Sequence, residues 1–178
     1  SYALQDVAHA HRDLEARRGE DLGWREWIEF IAELAEWEVK LGQAQEPGLQ
    51  EALAQLQASL RQDFAKFLQR NYARWLREDR SDRPPLSVDI GAEFLRPVLQ
   101  AHGKALFIVV DCLRLDQWAM IRPLIGELFE VETAHYVSIL PTATPYARNA
   151  IFSGLFPAEI KSRHPRWWSE EMRCCPTG

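Results

Sequence analysis

The hydrophobic residues of this chain change their period part-way along, and that change limits what it can fold into. Up to about Arg80 they recur every three or four residues, the spacing that lines one face of a helix. From Trp24 the set Trp27, Ile28, Ile31, Leu34, Ala35 and Leu41 keeps this spacing. After the Pro47-Gly48 break, Leu49, Leu53, Leu56, Leu60, Phe64, Phe67 and Leu68 resume it, ending in Tyr72, Trp75 and Leu76. A short connection favours antiparallel neighbours. With an opening segment over 4–17, a three-helix bundle is expected over residues 1–80.

From about Lys104 the pattern is different. Ala105-Leu106-Phe107-Ile108-Val109-Val110 is an unbroken apolar run between Gly103-Lys104 and Asp111. A strand buried on both faces of an α/β sheet reads this way. A helix is expected over 115–128, a second strand over 129–140, and, after Pro141-Thr142-Ala143-Thr144-Pro145, a helix running to Gly154. Strand, helix, strand, helix predicts a parallel sheet with crossover helices. The expected fold class is therefore α plus α/β, a helical bundle followed by a βαβα unit. Residues 81–103 read as a charged, Pro-containing linker and a short helix closed by Pro97, and 104–178 as the second domain.

Composition narrows the function classes. The formal net charge of the 178 residues is -5, which argues against a grip on duplex nucleic acid. No stretch reaches the roughly 18 apolar residues of a membrane span. Three cysteines, two of them adjacent (Cys174 and Cys175), do not make a disulfide framework, which points to a reducing cytoplasm. His164 with Cys174 and Cys175 lacks the spacing of a zinc finger. The polar start, without signal peptide or initiator Met, reads as the interior of a longer chain or a processed form.

Two polar elements stand where the expected strands end, the place where α/β sheets gather their functional groups. Asp111 closes the apolar run. Its carboxylate suits a hard divalent cation, or it caps the following helix. Thr144 precedes Pro145, a residue favoured in a first helical turn. Its hydroxyl either caps that helix or lies where unpaired N–H groups and the helix dipole favour a phosphate. A nearby metal would make such a hydroxyl a nucleophile. Spacing alone does not separate these readings.

The segment Pro141-Thr142-Ala143-Thr144-Pro145, continuing to Gly154-Leu155-Phe156-Pro157, resembles the nucleophile segment of the alkaline-phosphatase superfamily, in particular its nucleotide pyrophosphatase and phosphodiesterase branch. Val109-Val110-Asp111-Cys112-Leu113-Arg114-Leu115-Asp116-Gln117-Trp118 resembles the superfamily's strand-ending metal-ligand motif. The narrower likeness is to PglZ-type domains joined to response regulators, the PorX type. It extends back to Phe64-Ala65-Lys66-Phe67 and Asn71-Tyr72-Ala73-Arg74-Trp75-Leu76, which look like that family's helical connector.

This resemblance implies a phosphohydrolase or phosphodiesterase of two-component signalling. Thr144 would be the nucleophile, Asp111 and Thr144 would share a divalent metal, and Arg148 would face the substrate phosphate. Two zinc ions, in-line attack and a phosphate ester or small oligonucleotide substrate are implied with them. So are a homodimer and a histidine kinase acting through a receiver domain. The family's further Asp and His ligands are expected downstream of Gly178, and its receiver upstream of Ser1, which makes this chain alone incomplete and inactive. A sulfatase is disfavoured by Thr at the nucleophile position. The competing class is a non-catalytic signalling or dimerisation module, with Trp24, Trp27, Trp37 and Trp75 as an exposed docking patch.

Overall fold

The structure, a computed structural model, describes residues 12, 16, 22–42, 47–77 and 82–167. Six α-helices fall among them: α1 Trp24–Gly42, α2 Pro47–Trp75, α3 Arg96–His102, α4 Leu115–Gly126, α5 Thr144–Ser153 and α6 Pro157–Arg163. The 3-10 turns Ser87–Asp89 and Pro165–Trp167 and a π-helical stretch Gly91–Leu95 complete the helical structure. The chain divides into two compact units, Ser1–Arg83 with Leu113–Thr133, and Pro84–Cys112 with Ala134–Gly178.

In the first unit the stripes expected on α1 and α2 meet. Trp27 lies 5.4 Å from Phe64 and 5.9 Å from Phe67, ring centre to ring centre. At the other end of α1, Glu38 accepts a hydrogen bond from Gln57. Contacts pairing early with late and late with early residues make the two helices antiparallel. Phe30, Leu34, Leu56, Leu60 and Trp75 are buried along this seam, each contributing about 1.5–3 kcal/mol of hydrophobic stabilisation. α4 belongs to the same unit and is tied to α1 by Arg122 Nη2 to Glu36 Oε1 at 3.1 Å. The helix expected over 4–17 lies outside the described residues, apart from helical 12 and 16.

An exposed tryptophan patch does not form. Trp27 and Trp75 are buried in the seam. Trp24 and Trp37 are half-buried, the former beneath the Arg25 guanidinium at 4.1 Å and the latter beneath the Lys40 ammonium at 4.5 Å. The helical period that places apolar rings on one face also turns that face inward.

The second unit is built on residues that read as linker. Leu86, Val88, Ile139 and Ala150 form its core, with Val137, Ala147 and Phe156 against them. Residues 84–89 run beside 137–139: Val137 N–H donates to the Pro85 carbonyl at 2.8 Å, and Ile139 N–H to Ser87 Oγ at 3.1 Å. Ser87–Asp89 turns as a 3-10 helix, and residues 86–90 are buried throughout. Asp89, 1% exposed, turns its carboxylate back on the Leu86 N–H at 2.8 Å. Pro97 does not close a helix but sits at the start of α3, directly after the π-helical stretch Gly91–Leu95.

The parallel sheet is the expectation that fails. Among the described residues there is no strand, and the pairing that exists is one isolated parallel bridge, Leu86 with Val137. The apolar run 105–110 takes no regular secondary structure and is unpaired, and it leaves Leu106 85%, Ile108 68% and Val110 60% exposed. Hydrophobic sequence records what a segment gains when covered; a sheet also needs neighbours supplying hydrogen bonds on each side. Here the expected second strand meets 84–89 at that one bridge, and the apolar run meets none. The fold is mainly helical.

Candidate functional site

Asp111 and Cys112 form the turn that ends the apolar run. Cys112 takes a left-handed conformation, φ 58°, uncommon for a residue with a side chain. Such a backbone costs about 1–2 kcal/mol, and strain of this kind gathers at functional positions. It also settles one alternative for Asp111. α4 begins at Leu115 with Arg114 in the cap position, and Gln117 Oε1 accepts the Arg114 N–H at 3.0 Å. Asp111 is not the cap. Its carboxylate is exposed in the turn.

α5 begins at Thr144, with Ala143 in the cap position and no side-chain capping bond. Pro145 lies in the first turn, and Gly154, at φ 66°, ends the helix in the left-handed region. The half-buried Thr144 hydroxyl is therefore not spent on capping. It stands at a helix start, where backbone N–H groups lack intrahelical acceptors and the dipole is positive.

Arg148 lies four residues on, on the same face of α5 as Thr144. Its Nη1 is 3.4 Å from Asp111 Oδ2, a partly exposed ion pair within the second unit. The pair joins the first motif to the helix carrying the second. The arrangement offers a hydroxyl at a helix N-terminus, a guanidinium on its face and a carboxylate held by that guanidinium. Phe107 packs edge-on against Phe152 of the same helix at 5.7 Å, a second tie between the apolar run and α5.

Arg114 and Asp116 take a different place. Arg114 Nε and Nη2 reach the two Asp116 oxygens at 2.9 and 2.7 Å, a bidentate pair in the first unit. The Arg114 hydrogen bonds hold the Asp116 carboxyl below its usual range, and Asp116 in turn raises Arg114.

Residues 2–76 match the model of the PorX response regulator linker domain, and residues 92–173 match that of the BREX system PglZ alkaline phosphatase-like domain. The chain is thus similar to a PorX-type linker over its first part and to a PglZ-type domain over its second, in that order. α1 and α2 belong to the linker match, while α3, α4, α5 and α6 belong to the PglZ match. Together the two matches make the chain a phosphohydrolase-like signalling protein. Among curated proteins none matches it.

Alkaline phosphatase-like domains are in general metal-dependent. Among the described residues no three or more His, Cys, Asp or Glu stand together as a metal ion requires. Asp111 and Thr144 alone do not make a metal centre of the PglZ-type domain. Cys174 and Cys175 lie outside the described residues. No helix among those described is long and apolar enough to cross a membrane.

Proposed function

We propose that this chain carries the nucleophile of a phosphohydrolase acting on phosphate esters in two-component signalling, with Thr144 as that nucleophile. The observation behind this reading is the Thr144 hydroxyl at the start of α5, uncommitted to capping and sharing a helix face with Arg148. In the reaction, Thr144 Oγ gives up its proton to solvent and forms a bond to phosphorus as one ester oxygen leaves with its electron pair, and water then frees the threonine, releasing phosphate from a monoester or a phosphate monoester from a diester. Arg148 balances charge on the phosphoryl oxygens. Asp111 is the residue assigned to a divalent cation such as zinc, whose chemistry is to lower the pKa of a bound hydroxyl; the remaining ligands would come from outside the described residues.

The substrate class is a phosphate mono- or diester, including small nucleotides and oligonucleotides. A cytoplasmic location, a homodimer and a histidine kinase partner belong to the same reading, and rest on the linker match. This chain by itself is expected to turn over slowly or not at all, since the described residues supply no cluster of ligands around Asp111.

The test is made in the protein that carries this chain, with bis(p-nitrophenyl) phosphate. Thr144→Val is expected to lower turnover by about a hundredfold or more, with far-UV circular dichroism unchanged. Acid quench of the unaltered protein should trap a p-nitrophenyl phosphoryl group on Thr144, read by mass spectrometry. Undiminished turnover in Thr144→Val would remove Thr144 from the chemistry.

A further inference from the structure

A cavity of about 380 Å³ opens between α1, α2 and the first turn of α4, wholly within the first unit and apart from Thr144, Asp111 and Arg148. Its size falls in the roughly 300–1,000 Å³ range of small-molecule sites. Leu34, Leu60, Phe64 and Leu115 give it apolar walls, and Glu38, Gln57, Arg61, Arg114 and Asp116 bring polar groups to it.

The polar groups are unequally satisfied. Arg114 is committed to Asp116 through two hydrogen bonds. Arg61 is exposed, and water solvates its charge. Glu38 is half-buried, accepts a hydrogen bond from the neutral Gln57 amide, and feels the Asp116 carboxylate. Burial first, and Asp116 second, push its carboxyl above the usual range, against the weaker pull of Arg61, Gln57 and Arg114. The charge least compensated in the cavity is therefore negative and sits at Glu38. An anion would find Arg114 committed to Asp116 and two carboxylates facing it, with the exposed Arg61 as its partner. A divalent metal would need a ligand cluster that the described residues do not form here.

We propose that this cavity binds a small organic cation, an ammonium group on a short apolar body. The ammonium pairs with Glu38, and the body lies against Leu34, Leu60, Phe64 and Leu115. An occupant would bridge the two linker helices and the start of α4, fixing the helix that follows the Asp111 turn. The inference is independent of the phosphohydrolase reading, since none of its residues takes part in that chemistry.

The experiment titrates the full chain with 4-phenylbutylammonium, followed by calorimetry and by isoleucine-methyl NMR. The neutral 4-phenylbutanol and the anionic 4-phenylbutyrate are titrated in parallel. Saturable one-to-one binding of the amine is expected, with the alcohol and the acid about tenfold or more weaker, the scale of one charge-assisted hydrogen bond. Glu38→Gln, which keeps the shape, should bring the amine down to the alcohol's affinity. Ala35→Leu, which fills the hole, should weaken both. Equal affinity for amine and alcohol, an unchanged amine affinity in a folded Glu38→Gln, tighter binding of the acid, or no saturable binding of the amine each overturns the proposal.

Discussion

Thr144 and Arg148 occupy one face of α5 and do different work, so their substitutions should separate. Thr144 makes no capping bond, and valine keeps its β-branched shape; Thr144→Val should leave stability within about 0.5 kcal/mol while removing the hydroxyl proposed as nucleophile. Arg148→Ala breaks the 3.4 Å pair with Asp111. Surface pairs of this kind contribute about 0–1 kcal/mol, and the denaturant midpoint should move by no more than that. Its effect is expected in turnover, where a guanidinium facing phosphate has no substitute. A large loss of stability in Arg148→Ala would instead make the pair a structural tie.

The two site residues were legible in the sequence as positions, not as roles. Asp111 and Thr144 were each readable as a helix cap, and the structure gives the cap positions to Arg114 and Ala143. Cap geometry depends on where helical dihedrals begin, and a shift of one or three residues lies below what spacing resolves. The Asp111–Arg148 pair spans 37 residues; no local pattern encodes it.

Among elements, the α1–α2 pair follows closely from its stripes. Trp75, 1% exposed and set edge-on to Phe67 at 5.7 Å, closes the seam. Trp75→Ala should cost about 3–5 kcal/mol by deleting a large buried side chain, read as a lowered urea midpoint.

Glu38 brings a pH dependence to this unit. Its folded-state pKa is raised, so the folded chain binds the proton more tightly than the unfolded one. The associated stabilisation is fully present below the ordinary glutamate value and is lost as pH rises through the raised folded value. Asp116 has the opposite sign: its pKa is lowered, and its stabilisation is lost as pH falls through the folded value. Glu38→Gln should therefore gain on the parent between acid and neutral pH, in urea melts at pH 4 and pH 7.5. A stability difference that does not change with pH would place Glu38 in an environment like that of the unfolded chain.

At the scale of the whole molecule, the segment 104–110 stands apart. Leu106, Ile108 and Val110 expose apolar side chains along one unpaired stretch of backbone. Such an edge invites association with other chains. Ile108→Lys should lower self-association in sedimentation velocity and leave thermal stability within about 0.5 kcal/mol, as for surface sites generally. A strongly destabilised Ile108→Lys would mean that the side chain is covered in solution.

The sequence by itself determined the helices and the two motifs. Periodicity, a proline in the first turn and a glycine after the last are local rules, and α1, α2, α4 and α5 obey them. The two matched regions were legible for the same reason, as strings of adjacent residues. What only the tertiary structure decided was pairing. The apolar run found no neighbouring strand, Leu86 and Val88 of the expected linker and short helix went into the core of the second unit, and Trp27 and Trp75 turned inward. Each outcome depends on which distant segment arrives to share a hydrogen bond or cover a face, and residues close in sequence carry no record of that choice.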